Sequence, residues 1–327
     1  MQNQRRGLLK LLLGAAAGFG SLSSWAQTWP DKAIKLILGY TTGGASDATA
    51  RIINRPLEQI LKQSVVTDYK PGAGASIGAE FVARAAPDGY TIGLTDTGPL
   101  CIMPHLRKVS YDPLTSFTPL SYICTTGLVL IVNPELPVNN IQELIAMAKK
   151  RPGSLSYASS GVGSVHHLAG ELFKARAGVS IVHIPYRGAG PALTDLVGGQ
   201  IPVMFATIGP ALSMISAGKA RALGVTSLIR SASLPNVPTI AERGLNGYEA
   251  VLRFYVMGPA KMPQLITTKL QSDFKTVVTD STVIAELKKL GNDEIGYKSP
   301  SEIEALIQDD YRKWGNLITQ TKITLDT

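Results

Sequence analysis

A motif of three parts recurs along this chain and restricts its fold more than any other feature. A short apolar run leads into a loop of glycine and hydroxyl residues, and the loop into an amphipathic helical segment. The first copy spans residues 34–61, IKLILGYTTGGASDATARIINRPLEQIL. Its apolar run, 34–38, has the composition of a short buried strand. Tyr40-Thr41-Thr42-Gly43-Gly44-Ala45-Ser46-Asp47 is the loop, and a helical pattern runs on from Ala48. Ser46 or Asp47 is a candidate N-cap, because a short side-chain oxygen there accepts a bond from an unpaired N–H of the first turn. Paired glycines let the backbone approach a bound group closely. Free N–H groups and the positive end of the helix dipole then face one point, the chemistry of a carboxylate or phosphate cradle. The same turn also serves purely structural ends in α/β proteins, so one copy leaves ligand binding open.

Further copies follow. Residues 65–69 read as a second strand, and Lys70-Pro71-Gly72-Ala73-Gly74-Ala75-Ser76-Ile77-Gly78 as a second glycine loop before a helix over 79–85. Pro87-Asp88-Gly89-Tyr90 is a turn signal. A third strand is expected over 91–94, with Thr95-Asp96-Thr97-Gly98 as a polar loop at its C-terminal end. A second unit repeats the logic: a strand over 128–132, a helix over 141–151 stopped by Pro152-Gly153, and an extended run over 155–158 leading to Ser159-Ser160-Gly161-Val162-Gly163-Ser164 and a helix over 165–177. Next come a strand at 181–185, the loop Tyr186-Arg187-Gly188-Ala189-Gly190, and a helix near 191–197. Strands at 201–205 and 222–226 flank a helix at 208–217, and the tail from 263 reads as mainly helical. Strands alternating with helices imply largely parallel sheets, whose ligands gather at the strands' C-terminal ends. Two such units imply two lobes across a cleft. Two facing cradles favour a ligand receptor.

The N-terminus carries an export signature: Arg5-Arg6-Gly7-Leu8-Leu9-Lys10, an apolar stretch over 11–19, and Ser24-Trp25-Ala26 as a small-x-small cleavage site. Either a twin-arginine or an ordinary secretory signal fits. Cleavage after Ala26 leaves a mature chain from Gln27. No later stretch reaches the ~18 uncharged apolar residues of a membrane span. The formal charge of +8 includes Arg5, Arg6 and Lys10, which leaves +5 on the mature chain. That balance favours anionic ligands. No basic block with interleaved aromatics points to nucleic acid. Cys101 and Cys124 are compatible with a disulfide in an oxidising compartment or with two buried thiols.

At several stretches the residues resemble the substrate-binding proteins of tripartite tricarboxylate transporters, the Bug-type periplasmic receptors. They include Gly43-Gly44-Ala45-Ser46-Asp47-Ala48-Thr49-Ala50-Arg51, Lys70-Pro71-Gly72-Ala73-Gly74, Ala85-Ala86-Pro87-Asp88-Gly89-Tyr90-Thr91, and Ser159-Ser160-Gly161-Val162-Gly163-Ser164 with His166-His167-Leu168. His183-Ile184-Pro185-Tyr186-Arg187-Gly188, Ala222-Leu223-Gly224-Val225-Thr226-Ser227 and Leu234-Pro235-Asn236-Val237-Pro238-Thr239-Ile240 continue the series. The resemblance runs in order through the mature chain. It implies an α/β, two-lobed periplasmic-binding-protein fold of type II-like form, each lobe a mainly parallel sheet flanked by helices. Residues 27–127 with 252–327 would form lobe one and residues 128–251 lobe two, after a signal peptide over 1–26. It also implies a periplasmic monomer that captures a small carboxylate (a di- or tricarboxylate, an acidic amino acid or an aromatic acid) without chemistry, cofactor or metal, and delivers it to the membrane subunits of a tripartite transporter.

Carried across by position, the resemblance makes Thr42, Gly43, Gly44, Ala45, Ser46 and Asp47 one wall of the site, with Ser76, Ile77, Thr95, Asp96 and Thr97 beside it. Ser160, Gly161, Gly163, Ser164 and His166 would face them, with Tyr186, Arg187 and Gly188 at the rim. Asp47 reads as an orienting cap, since a bare carboxylate repels an acid. Asp96, if it faces the cleft, asks for an ammonium, a hydroxyl or a cation on the ligand. The chain departs from the family pattern at Pro202 and Ala206, where a polar contact to the far end of the ligand would be lost. It departs again at Arg253, which either borders the cleft and selects a second negative group or is a surface arginine near the hinge. Adjacent His166 and His167 diverge by about 100° on a helix and share no metal site. The Gly-x-Ser-x-Gly spacing of a hydrolase elbow is absent, and Gly43-Gly44 completes neither a dinucleotide fingerprint nor a P-loop. A ligand sensor for a histidine kinase would use the same fold, and an exported hydrolase is a remote alternative.

Overall fold

The computed structural model describes residues 29–321 and 323–324, so the expected export segment, 1–26, lies outside the described residues. Residues Lys32–Thr327 form one compact unit. Within it, β1 (Ile34–Leu38) is buried at every position except Lys35. The following helix, α1 (Ala45–Leu61), turns Ala50, Ile53, Leu57 and Leu61 inward, the three-to-four spacing of one helical face. Strands β2 (Val65–Tyr69) and β3 (Thr91–Asp96) both pair in parallel with β1, and α2 (Ser76–Ala83) connects them. After β3 the chain passes through a short helical turn, Gly98–Ile102, into α3 (Met103–Leu106).

The long strand β4 (Phe117–Val132) joins the two halves of the sheet. The second half contains α4 (Ile141–Lys150), β5 (Ser156–Ser159), α5 (Val165–Ala177), β6 (Val182–Pro185), α6 (Ala189–Val197), β7 (Val203–Thr207), α7 (Ile208–Ser216) and β8 (Arg221–Val225). The chain then returns along β9 (Val251–Pro259) and ends with α8 (Gln264–Thr279), α9 (Ser281–Lys289), β10 (Asn292–Ile295) and α10 (Pro300–Thr321). The two halves have the same strand order. In the first, β1 lies between β2 and β3, then come the antiparallel β9 and β4. In the second, β5 lies in parallel between β6 and β7, then come the antiparallel β4 and β8. Residues 117–127 of β4 pair with β9, and residues 128–132 pair with β7 and β8, so one strand serves both halves.

The alternation expected from the sequence is present, with corrections at several ends. The strand expected at 128–132 begins at Phe117: Thr118, Pro119, Ser121, Thr125 and Thr126 interrupt its apolar run, and two register shifts accommodate them. The third strand continues through Thr95 and Asp96, so these are strand residues rather than loop residues. β10 lies inside the tail expected to be mainly helical. The N-cap of α1 is Gly44, not Ser46 or Asp47; Asp47 sits in the first turn, and its Oδ2 accepts from Gly43 N at 3.0 Å. Cys101 and Cys124 are free buried thiols, which removes the disulfide alternative, and burial pushes both thiols up.

Arg253 is also corrected. On β9 its neighbours Leu252 and Phe254 face the cavity described below, and strand alternation turns Arg253 to the opposite face. There its Nη1 donates to both carboxylate oxygens of Asp310 on α10, at 2.6 and 2.5 Å. Both side chains are largely buried (17% and 7% exposed). Breaking one side of a buried pair leaves an uncompensated charge at roughly 3–5 kcal/mol. Asp310→Ala should therefore lower the urea midpoint sharply, while Arg253→Met with Asp310→Leu should recover most of the loss.

Candidate ligand-binding site

Four helices begin at one small cavity. Its lining is Tyr40, Gly44, Ala45, Ser46, Asp96, Ser160, His166, Ala189, Thr207, Leu252 and Phe254. Gly44 is the N-cap of α1, and the first intrahelical bond, Ala48 N to Gly44 O, leaves the N–H groups of Ala45 and Ser46 outside the ladder. His166 lies in the first turn of α5, Ala189 opens α6, and Thr207 is the N-cap residue of α7 without capping it through its side chain. Each helix start carries about half a positive charge, so the cavity favours an anion although no arginine or lysine among the described residues lines it. Its volume is about 20 Å³, room for about one water. A di- or tricarboxylate needs the surrounding loops to separate.

The polar groups divide into two sets. On one side Asp96 is buried; its Oδ1 accepts from Tyr40 Oη at 3.4 Å and from Gly98 N at 2.7 Å. Burial raises its carboxyl to about 7, against the lowering effect of those two bonds. On the other side Ser160 Oγ bonds His166 Nδ1 at 2.7 Å, while His166 Nε2 and Thr207 Oγ1 are buried without a partner among the described residues. Burial lowers His166 to about 4. This serine–histidine pair has the form of a nucleophile and base, but an imidazole held so low is a weak base. Its Nε2 also lacks an orienting group.

A second layer fixes the β5–α5 loop. Ser164 caps α5 by accepting from His167 N and donates to Gly161 O at 2.6 Å. Gly163 N donates to His167 Nδ1, which leaves the proton of this neutral ring on Nε2, 4.0 Å from Glu171. His167 stacks on His183 and His183 on Tyr157, and His183 Nε2 bonds Ser159 Oγ at 2.6 Å.

A larger hollow of about 530 Å³ adjoins the cavity and shares Tyr40 and Ser160 with it. Residues 71–75, Ile77, Gly161, Val162, Pro185, Tyr186 and Arg187 complete its wall. The loops of the two halves meet here. Thr41 N donates to Arg187 O at 3.4 Å, and a Cβ on Gly74 would lie 2.4 Å from Val162 O. One on Gly188 would lie 2.4 Å from Thr41 Oγ1.

Of the residues singled out from the sequence, Gly44, Ala45, Ser46, Asp96, Ser160 and His166 line the cavity, and Ile77, Gly161, Tyr186 and Arg187 line the outer hollow. Thr42 and Gly43 line a separate hollow with Gly190 and Pro191. Asp47 is held by Gly43 N, by Tyr69 Oη at 2.7 Å and by Arg51. Ser76 donates to Ala73 O, Thr97 accepts from Arg253 N, and Thr95 lines a separate small hollow with Ile37, Val82 and Asp96. Gly163 and Ser164 shape the loop, and Gly188 seats against Thr41. Sequence reasoning missed Tyr40, Ala189, Thr207, Leu252 and Phe254 as lining residues. Ala206, expected to leave a gap at this strand end, packs into the apolar core, and Thr207 supplies the polar group one residue later.

Two sheet halves of one topology, joined by β4 and enclosing a cavity ringed by helix starts, define a periplasmic solute-binding protein fold. Comparison with known proteins then gives the family. The tripartite tricarboxylate transporter family receptor matches residues 49–323, and the chain belongs to that family. BugT of Bordetella pertussis is 33% identical over 94% of each chain. Among solved structures, R. palustris Rpa4515 with adipate superposes with a TM-score of 0.87 at 33% identity, covering 90% of this chain and 99% of that one. MatC from Rhodopseudomonas palustris with bound malate gives 0.84 at 27% identity, covering 89% and 100%.

The histidines give this region a pH signature. Burial lowers His166 and His167 to about 4 and His183 to about 3. The unfolded chain binds these protons near pH 6.5, so their contribution is complete above that pH and is lost as pH falls toward 4. Asp96, raised on folding, works the other way over the same range. Three groups outweigh one. Stability by urea unfolding should fall between pH 6.5 and 4, by on the order of 1–2 kcal/mol per pH unit.

Proposed function

We propose that this protein is a periplasmic receptor that captures a small carboxylate and delivers it to the membrane subunits of a tripartite tricarboxylate-type transporter. The observation that carries the reading is the convergence of four helix starts on one buried cavity, with His166 Nε2 and Thr207 Oγ1 unpartnered beside them. Family membership and the adipate and malate in two similar structures support the same ligand class. Export through the N-terminal segment, with cleavage after Ala26, belongs to this reading.

Binding needs no chemistry. A carboxylate would take bonds from the free N–H groups at the start of α1, from Thr207 and from His166 when Ser160 donates to Nδ1. Residues 27–127 with 252–327 act as one lobe and 128–251 as the other, hinged where β4 passes between the sheet halves. Opening admits the acid through the outer hollow, and closure brings the loops that carry Thr41, Gly74, Val162 and Arg187 back toward one another around it. The ligand shifts the population toward the closed form by its differential affinity.

Thermal unfolding against mono-, di- and tricarboxylates, amino acids and aromatic acids tests this. A ligand at a hundredfold excess over Kd stabilises by roughly 2.7 kcal/mol. A rise in Tm confined to one class of acid is expected. No rise with any acid, in protein shown by mass spectrometry to retain no ligand, would remove the proposal.

A further inference from the structure

Asp96 is an anomaly in a cavity that favours anions. It is 2% exposed and lines the cavity, and its only partners among the described residues, Tyr40 Oη and Gly98 N, both bond Oδ1. Oδ2 has no hydrogen-bond donor among the described residues. Across the cavity His166 Nε2 and Thr207 Oγ1 lack partners among the described residues as well. A carboxylate satisfies His166, Thr207 and the helix N–H groups but not Asp96: it sets a like charge or a lone pair against Oδ2. A ligand that carries an O–H or N–H donor beside its carboxylate satisfies both sides at once.

We propose that Asp96 is a specificity-determining residue, selecting hydroxy- or amino-substituted carboxylates over the unsubstituted acids of the same skeleton. This rests on the carboxylate-receptor reading above and narrows it. Buried groups built to pair with a substrate hydroxyl or amine are left unsatisfied by the analogue that lacks it, and such analogues are rejected strongly. Burial raises the carboxyl to about 7, so above that pH Asp96 is ionised and only accepts, and a ligand ammonium extends this charged form to lower pH.

The test is calorimetric titration of the purified protein with matched triplets: propionate, lactate and alanine; succinate, malate and aspartate; glutarate, 2-hydroxyglutarate and glutamate; and phenylpropionate, phenyllactate and phenylalanine. In the triplet that binds best, the hydroxy or amino acid should bind at least tenfold more tightly than the unsubstituted acid. Asp96→Ala should reduce that preference to threefold or less. Asp96→Asn separates the two donors: it keeps an acceptor for a hydroxyl ligand but loses most of the affinity for an ammonium one. If the unsubstituted acid binds as well as its substituted partners to the wild type, the role of Asp96 is overturned while the carboxylate reading stands. The wild-type comparison decides this even where a variant fails to fold. A preference that survives in folded Asp96→Ala also overturns it. If no member of any triplet binds, the role of Asp96 falls, and the carboxylate reading is decided by the wider thermal panel above.

Discussion

Parallel strands impose the constraint on which this site depends. When β1, β5, β6 and β7 all end at the cleft, the helices that follow them must begin there. Every such start leaves N–H groups that the helix itself cannot pair. Burying them together without a partner would be costly, and an anion is the partner that their dipoles favour. The repeated strand, glycine loop and helix of the sequence is the local cause of this arrangement. The matching strand order of the two sheet halves makes it face itself across a cavity.

The recognition chemistry is therefore mostly backbone. Among the described residues no arginine or lysine lines the inner cavity; Arg187 stays exposed in the wall of the outer hollow, and Arg253 is tied to Asp310 on the other face of β9. Side chains refine what the helix starts attract. Ser160 fixes the ring of His166, and the stacked His167, His183 and Tyr157 hold the loop that carries Ser160. Leu252 and Phe254 close the apolar wall from the returning strand, and Asp96 adds an acceptor that a plain acid leaves unused.

The parts of this site built from local sequence were legible. Gly44 to Ser46 and the 159–166 loop announce themselves by glycine and hydroxyl content after an apolar run. The residues that arrive through long-range pairing were not. β9 inserts between β3 and β4, so Leu252 and Phe254 reach the cavity from the far end of the chain, and nothing near them in sequence marks that register. Arg253 was misread for the same reason: only the pairing of β9 tells which of three consecutive residues faces the cleft. Thr207 escaped because the strand was ended too early at 205, and β4 because its polar interruptions look like a loop until two bulges absorb them. Asp47 shows the converse. Charge alone argued for an orienting role, and the structure ties Asp47 to Gly43 N, Tyr69 and Arg51, although the cap itself falls on Gly44.

Closure about β4 is the central claim, and small-angle X-ray scattering of the purified protein with and without a stabilising carboxylate tests it most directly. A smaller radius of gyration in the saturated protein is expected, since the acid draws the loops that carry Gly74 and Val162 together. An unchanged radius at saturation would contradict closure and leave the cavity as a rigid pocket.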